Sequence, residues 1–409
     1  MRILLVTERF WPEVGAAPSR LANMAEGMMA EVNEVDVFTS LPNYPKGKIF
    51  DGYRGSFSKK ETYKNINLFR YWIYATTSRN PIARVLNMFS FAFIIWLFAF
   101  KHKTVKKYDL VIIQTPTVVV GASAMLLFKG LFKKKCCINV SDIWPLTAVD
   151  MGAMKEGSSS FKFMQKCELY MYRKCDAVLG QSNEILAHVE SEMKRIGVPT
   201  RVNDTSKLFL YRNLQHYDLS YSFKSKGNPL KIVFSGMLGV AQDVLGIVKN
   251  VPFKDMGVEF HIFGGGKQLI EIQDWCSEHP NSNVFAHGFV PKEKIAESLC
   301  EMDASIIPLV TRIRGAVPSK LFDTLPQGLP ILYTGDGEGA DFVAERRLGY
   351  ISNPGDYESL KANIIELRDL SSAEYNEMSA RCIEVSKKEL NFDAQIKECC
   401  KFLKKINEA

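Results

Sequence analysis

The chain has 409 residues, 46% hydrophobic and 24% charged, which excludes a disordered polymer and exceeds what one ordinary core organises. Two domains of roughly 150–200 residues each are expected. The nine cysteines are odd in number, with no CxxC pair and no histidine at zinc spacing, so they read as reduced thiols of a cytosolic protein and not as a disulfide framework.

The net charge of +7 is uneven: residues 1–210 hold 29 Lys/Arg against 18 Asp/Glu, and residues 211–409 hold 23 against 27. Within 46–107 there are thirteen basic residues and two acids, Asp51 and Glu61. Such a patch suits nucleic acid or an anionic membrane surface. Aromatic residues near it fall inside an apolar run and are not interleaved with the cations, which disfavours nucleic acid.

The opening "MRILLVTERFWP" has no small-residue cleavage site and reads as a first buried strand at 2–7. A helical pattern follows in "SRLANMAEGMMAE", then strands at 34–40, 65–74, 109–116, 136–145 and 176–182. Val- and Ile-rich strands separated by helices imply a parallel sheet covered on both faces. The run "VLNMFSFAFIIWLFAF" (85–100) has only Asn87 and Ser90 as polar residues and is followed by "KHKTVKK". It fits a helix buried against the sheet, or one lying in a membrane leaflet and held by the basic run; the second is preferred, and a full span is the poorest fit.

The pattern restarts after a polar join at 221–230, with strands expected at 231–236, 258–266, 283–290, 304–309 and 330–335. The domains are therefore drawn at 1–220 and 221–390, with a helix at about 391–409 packing back on the first. Ligands of such sheets sit at the carboxyl ends of strands.

Five stretches invite chemistry. Gly15, with small neighbours, precedes the first helix, either as a plain turn or as a place where an anion meets free N–H groups. Asp142, followed by Trp144, ends a buried strand, either as a structural carboxylate or as a group that binds an acceptor hydroxyl and assists its deprotonation. Glu168 and Arg173 read as structural pairs. Gly236 and Gly239 in "FSGMLGVAQDV", and Gly264 and Gly265 in "HIFGGGKQL", stand in strand-to-helix turns open to a phosphate or simply tight. The stretch "TRIRGAVPSKLFDTLPQGLP" says most: Arg312 and Arg314 in a loop, Ser319 as a helix cap, and Lys320 and Asp323 on one face of its first turn. A helix start with three cations suits a diphosphate, and Asp323 would accept a bond from a ribose or sugar hydroxyl.

Taken in order, "TERFWPEVGAAPSR", "SDIWPLTAVDMG", "CELYMYRKCDAVLGQS", "FSGMLGVAQDVLG", "IFGGGKQL", "HGFVPKEKIAESLCEMDASIIPL" and "VPSKLFDTLPQGLPIL" run through nearly the whole chain. The set resembles the retaining glycosyltransferases of family 4, nearest to bacterial enzymes of capsular, colanic-acid or O-antigen polysaccharide synthesis of the fucosamine-transferase type. The resemblance implies the GT-B architecture, two Rossmann-like domains facing across a cleft. It implies a nucleotide-sugar donor held without a metal or other cofactor by the C-terminal domain, through Gly236, Gly239, Gly264, Gly265, Val290, Arg312, Arg314, Lys320 and Asp323, with Gly15 of the N-terminal domain also on the donor. It also implies a polyprenyl-diphosphate-linked acceptor met by Asp142 and Trp144, at the inner face of the cytoplasmic membrane. Two departures stand out. Many members carry two glutamates eight residues apart where this chain has Gly315 and Asp323, and many carry a histidine near Asp142. A sugar-nucleotide epimerase or hydrolase on the same fold, or a non-catalytic nucleotide-sugar-binding member, are the competing readings.

Overall fold

The Val- and Ile-rich runs become the strands of two parallel sheets in the computed structural model, which describes residues 1–78, 80–101, 103–115, 117–202, 205–216 and 225–409. The chain forms two units, Met1–Gln215 with Phe392–Ala409, and His216–Asn391. The domain boundary expected at 220/221 lies outside the described residues, as do Pro116 and the start of the join.

The first unit is built on β1 (Arg2–Val6), β2 (Glu34–Ser40), β3 (Ser58–Tyr63), β4 (Ile66–Tyr71), β5 (Leu110–Gln114), β6 (Lys135–Val140) and β7 (Ala177–Gly180). A two-strand ribbon, β8 (Arg201–Val202) with β9 (Thr205–Ser206), leads into β10 (Leu208–Leu210). The sheet order is β10-β7-β6-β5-β1-β2-β4-β3, with only β3 antiparallel to its neighbour. Neither the ribbon nor β3 is among the expected strands. β3 reads SKKETY, with no apolar side to betray it. Lys64 and Asn65, at φ 43° and 67°, form the two-residue turn that returns it along β4. The strand expected over 136–145 stops at Val140, and residues 141–145 turn away at the sheet's carboxyl edge.

Helix Pro81–Lys101 runs longer than the apolar segment that announced it. Phe91, Ile94, Ile95 and Phe98 are buried in the unit's core, whereas Ile82, Phe93 and Phe100 are 60–70% exposed. One face therefore packs on the sheet side of the unit and the other presents aromatics to the outside. Phe89, Phe93, Trp96 and Phe100, with Val119 and Ser123 of helix Val118–Met125, line an open apolar groove of about 560 Å³. Trp96 Nε1 donates to Ser123 Oγ at 2.9 Å, which fixes its floor.

The last helix, Phe392–Glu408, belongs to the first unit. Phe392, Ile396, Cys399, Cys400 and Leu403 are buried. A Cβ on Gly27 would come within 2.8 Å of Ile396, so only glycine lets the helices meet this closely. Gln395 Nε2 donates to the Arg212 carbonyl at 3.0 Å and its Oε1 accepts from the Arg212 amide at 2.9 Å.

The second unit carries β11 (Leu230–Ser235), β12 (Val258–Phe263), β13 (Val284–Gly288), β14 (Ala304–Pro308), β15 (Ile331–Thr334) and β16 (Gly349–Ser352) in the order β13-β12-β11-β14-β15-β16. All pairings are parallel. β16, a four-residue edge strand, is not among the expected ones.

Candidate functional site

In the second unit β11 lies between β12 and β14, so the chain reverses its direction of sheet growth there. The carboxyl end of β11 is thus the switch point at which an open α/β sheet leaves room for a ligand. Gly236 opens the turn at that point, with φ 141°. The side chain of Lys320 lies directly against it: a Cβ added to Gly236 would sit 2.1 Å from Lys320 Cε. The Lys320 Nζ stands 4.1 Å over the Phe234 ring. Burial pushes its pKa down to about 8, with Asp323 acting in the opposite direction.

Lys320 is held there by a short helix, Ser319–Thr324, whose Leu321, Phe322 and Thr324 are buried. Pro318, not Ser319, is the capping residue, and no side chain caps the helix; Ser319 is the first helical residue. The structure thus corrects the expected cap by one position, because proline's fixed φ already suits the entry to a helix. A 3₁₀ turn continues to Gln327, and Gly328 at φ 68° ends it.

The glycines after β12 serve the backbone first. Leu238 N–H donates to the Gly265 carbonyl at 2.9 Å, Gly264 N–H to Gly288 at 2.8 Å, and Gly236 N–H to Phe263 at 2.8 Å. A Cβ on Gly264 would lie 1.8 Å from the Gly236 carbonyl oxygen, so the two turns run in backbone contact. Around Gly265 the nearest atom to such a Cβ is 3.9 Å away, leaving it open. At Gly239 it would meet Gln242 Oε1 at 2.8 Å.

Arg312 pairs with Asp336, just after β15, at 3.9 Å. Arg314 is partly buried in the same loop. Gly315 has φ 77°, a conformation that side-chain-bearing residues rarely adopt. A side chain at this place would strain the backbone. Val290 packs on a small cluster of Val233, Phe263 and Leu299, as a core contact.

In the first unit Asp142 stands two residues beyond the end of β6, partly buried. Burial raises its pKa, opposed by the charge of Arg20 and by a hydrogen bond with Ser141. Trp144 is partly buried against the core. Gly15 caps helix Ala16–Met29 with no side-chain hydrogen bond, and a Cβ on it would meet Tyr44 at 3.1 Å. Glu168 is structural: it accepts from Tyr172 Oη at 3.0 Å and pairs with His188 at 2.9 Å. Arg20 is the residue the sequence reading missed. Its signal was present, because Arg20, Met24 and Met28 recur every four residues on the buried side of one helix.

Residues 230–369 match the family of glycosyl transferases group 1. Similar solved structures span essentially the whole chain. Sucrose-phosphate synthase from Thermosynechococcus elongatus has 14% identity and a TM-score of 0.72, covering 99% of this chain and 98% of that one. Anabaena Alr3699/HepE, in complex with UDP, has 13% identity and a TM-score of 0.66, covering 99% and 100%. WaaG, a glycosyltransferase involved in lipopolysaccharide biosynthesis, has 13% identity and a TM-score of 0.64, covering 97% and 98%. No curated protein sequence matches the chain. The fold is that of the GT-B glycosyltransferases, two Rossmann-like units. The second unit carries a glycosyl transferases group 1 domain, and domain and fold together support a transferase.

Proposed function

We propose that this protein is a retaining, metal-independent glycosyltransferase of family 4, of the fucosamine-transferase type, that moves a sugar from a nucleotide-sugar to a lipid-linked glycan. The donor is a UDP-sugar, in keeping with the neighbour that holds UDP, and the process is bacterial surface polysaccharide synthesis. The observation that carries the reading is the Lys320 ammonium held against Gly236 at the carboxyl end of β11, inside the matched domain.

When the bond from the sugar's anomeric carbon to the diphosphate breaks, charge grows on the leaving phosphate. Lys320 and Arg314 meet that charge, and the open turn at Gly265 allows close approach. Asp323 takes a hydroxyl of the donor. In the first unit Asp142 accepts a hydrogen bond from the acceptor hydroxyl and, with its basicity raised by burial, assists its deprotonation.

The acceptor's lipid and the exposed aromatic face of helix Pro81–Lys101 belong together. That face, flanked by exposed Lys101 and Lys106, seats the unit on the inner leaflet as a peripheral protein. Part of the basic segment is spent internally: Arg70 is buried with Glu61, and Lys107 pairs with Glu34 and Asp36. Lys59 pairs with Glu61 at 3.8 Å, and the exposed cations Lys46, Lys48 and Lys60 remain for anionic lipid.

The test is thermal stabilisation by UDP, GDP and ADP in wild type, Arg314→Ala and Lys320→Ala. A nucleotide at a hundred times its Kd adds about 2.7 kcal/mol. Stabilisation by UDP, lost in both variants, supports the reading; no response to any nucleotide removes it.

A further inference from the structure

Arg20 is a cation that the first unit buries without pairing. Only 7% of its surface is exposed. Its Nε is sealed from solvent and has no hydrogen-bond partner. Asp142 and Tyr211 lie near enough to act on its charge, yet among the described residues no carboxylate closes an ion pair with it. A guanidinium mostly removed from water, its Nε unpartnered and Asp142 near it without closing an ion pair, is costly for a fold to hold. Such a group is kept where a ligand completes it.

The surroundings define that ligand. A planar guanidinium fork matches phosphate oxygens. Side chains of a helix lean toward its N-terminus. Here that end is capped by Gly15, with no capping side chain and no acid in the first turn; Pro18 has no N–H and Ser19 N–H donates to the Gly15 carbonyl, so the amides of Ala16 and Ala17 are the ones left for a ligand. Asp142 places the group at the carboxyl edge of the first sheet, where such sheets receive ligands. A bare anion would be repelled by Asp142. A molecule that carries both a phosphate and a hydroxyl satisfies the arginine and the aspartate at once.

We propose that Arg20 holds the phosphate adjoining the acceptor sugar while Asp142 takes a hydroxyl of the same molecule, so that the first unit selects glycosyl phosphates or diphosphates over neutral sugars. The assignment of this ligand as the acceptor rests on the transferase reading above; the anion site itself does not. The shared chemistry is a phosphate ester, from a prenyl-linked donor of that group or from a free sugar phosphate.

The experiment is calorimetric titration of the full chain with farnesyl-diphosphate-linked glucose, glucose 1-phosphate and glucose, with UDP saturating and in parallel without it. Arg20→Gln should weaken both phosphates about 30-fold and Arg20→Lys only ~3-fold, while the UDP Kd moves less than about twofold. Glucose should not bind. The melting temperature of Arg20→Gln should hold or rise, since an uncompensated charge is removed. Equal phosphate affinity in wild type and Arg20→Gln overturns the proposal, as does a melting temperature that falls in both variants with binding unchanged. Loss of UDP together with the phosphates gives Arg20 to the donor and overturns the acceptor assignment. Farnesyl-diphosphate-linked glucose binding tenfold tighter than glucose 1-phosphate supports the lipid source; the reverse overturns that source. If no nucleotide binds but phosphate binding depends on Arg20, the transferase reading fails and this site stands.

Discussion

Replacing Lys320 by methionine should stabilise the protein without its substrates and weaken its grip on a nucleotide. The two effects have opposite sign because the ammonium is buried for the ligand's sake. Its pKa falls from 10.5 to about 8 on folding, and about 2.5 units at 1.36 kcal/mol each is roughly 3 kcal/mol of penalty at pH 7. The contact with the Phe234 ring returns about 1 kcal/mol of this, leaving a gain of about 2 kcal/mol for the variant. Below pH 8 both folded and unfolded chains carry the proton, so the penalty is complete. Between pH 8 and 10.5 the folded chain releases it first, and the penalty fades. Wild type should therefore gain on the variant as pH rises through this window, and the two should meet near its upper end. Urea unfolding of both proteins at pH 7, 8.5 and 10 measures this. A lost charge-assisted hydrogen bond to the diphosphate should raise the UDP Kd by about 10- to 100-fold at pH 7. A variant less stable than wild type at pH 7, or one that binds UDP equally well, refutes the account of Lys320.

Gly236→Ala forces a Cβ into the lysine's methylenes, and should cost about 1–3 kcal/mol of stability and lower UDP affinity with it; unchanged binding would mean that Lys320 and the nucleotide do not meet there. Phe93→Glu with Phe100→Glu should abolish flotation with anionic liposomes at low salt while leaving the melting temperature within a degree or two, as both side chains are mostly exposed. Glu168→Leu leaves His188 and Tyr172 without their acceptor and should cost about 1–3 kcal/mol with no change in UDP Kd. Sugar transfer assayed with excess EDTA should keep its rate; a rate restored only by added divalent metal would contradict the proposed role of Lys320 and Arg314.

Most of the sheet architecture was legible, because buried parallel strands are continuous apolar runs and β2 is bounded as its sequence suggests. What stayed hidden was decided by neighbours. β3 is polar on both faces and exists because β4 offers it an edge. The glycines at 264–266 resembled a phosphate cradle, yet Gly264 is required by the carbonyl of Gly236, a contact between residues 28 apart that no local pattern announces. Helix Pro81–Lys101 satisfied two readings at once, since hydrophobicity marks a face as apolar without saying whether protein or lipid covers it. At the candidate site, the nearness of Asp323 to Lys320 followed from helical spacing, whereas the contact of Lys320 with β11 needed the sheet order. Arg20 was overlooked because arginine in an amphipathic helix is ordinarily assigned to the wet side.

The return of Phe392–Glu408 to the first unit has a consequence for biosynthesis. His216–Asn391 is continuous in the chain, so it can fold as soon as it leaves the ribosome. The first unit cannot: the apolar seat around Gly27 stays bare until Ile396 arrives, some 370 residues later. During that interval the nascent protein shows an unfinished hydrophobic surface to chaperones and proteases. A ribosome that stops at 391 would release a product whose second unit is whole and whose first unit is marked for disposal.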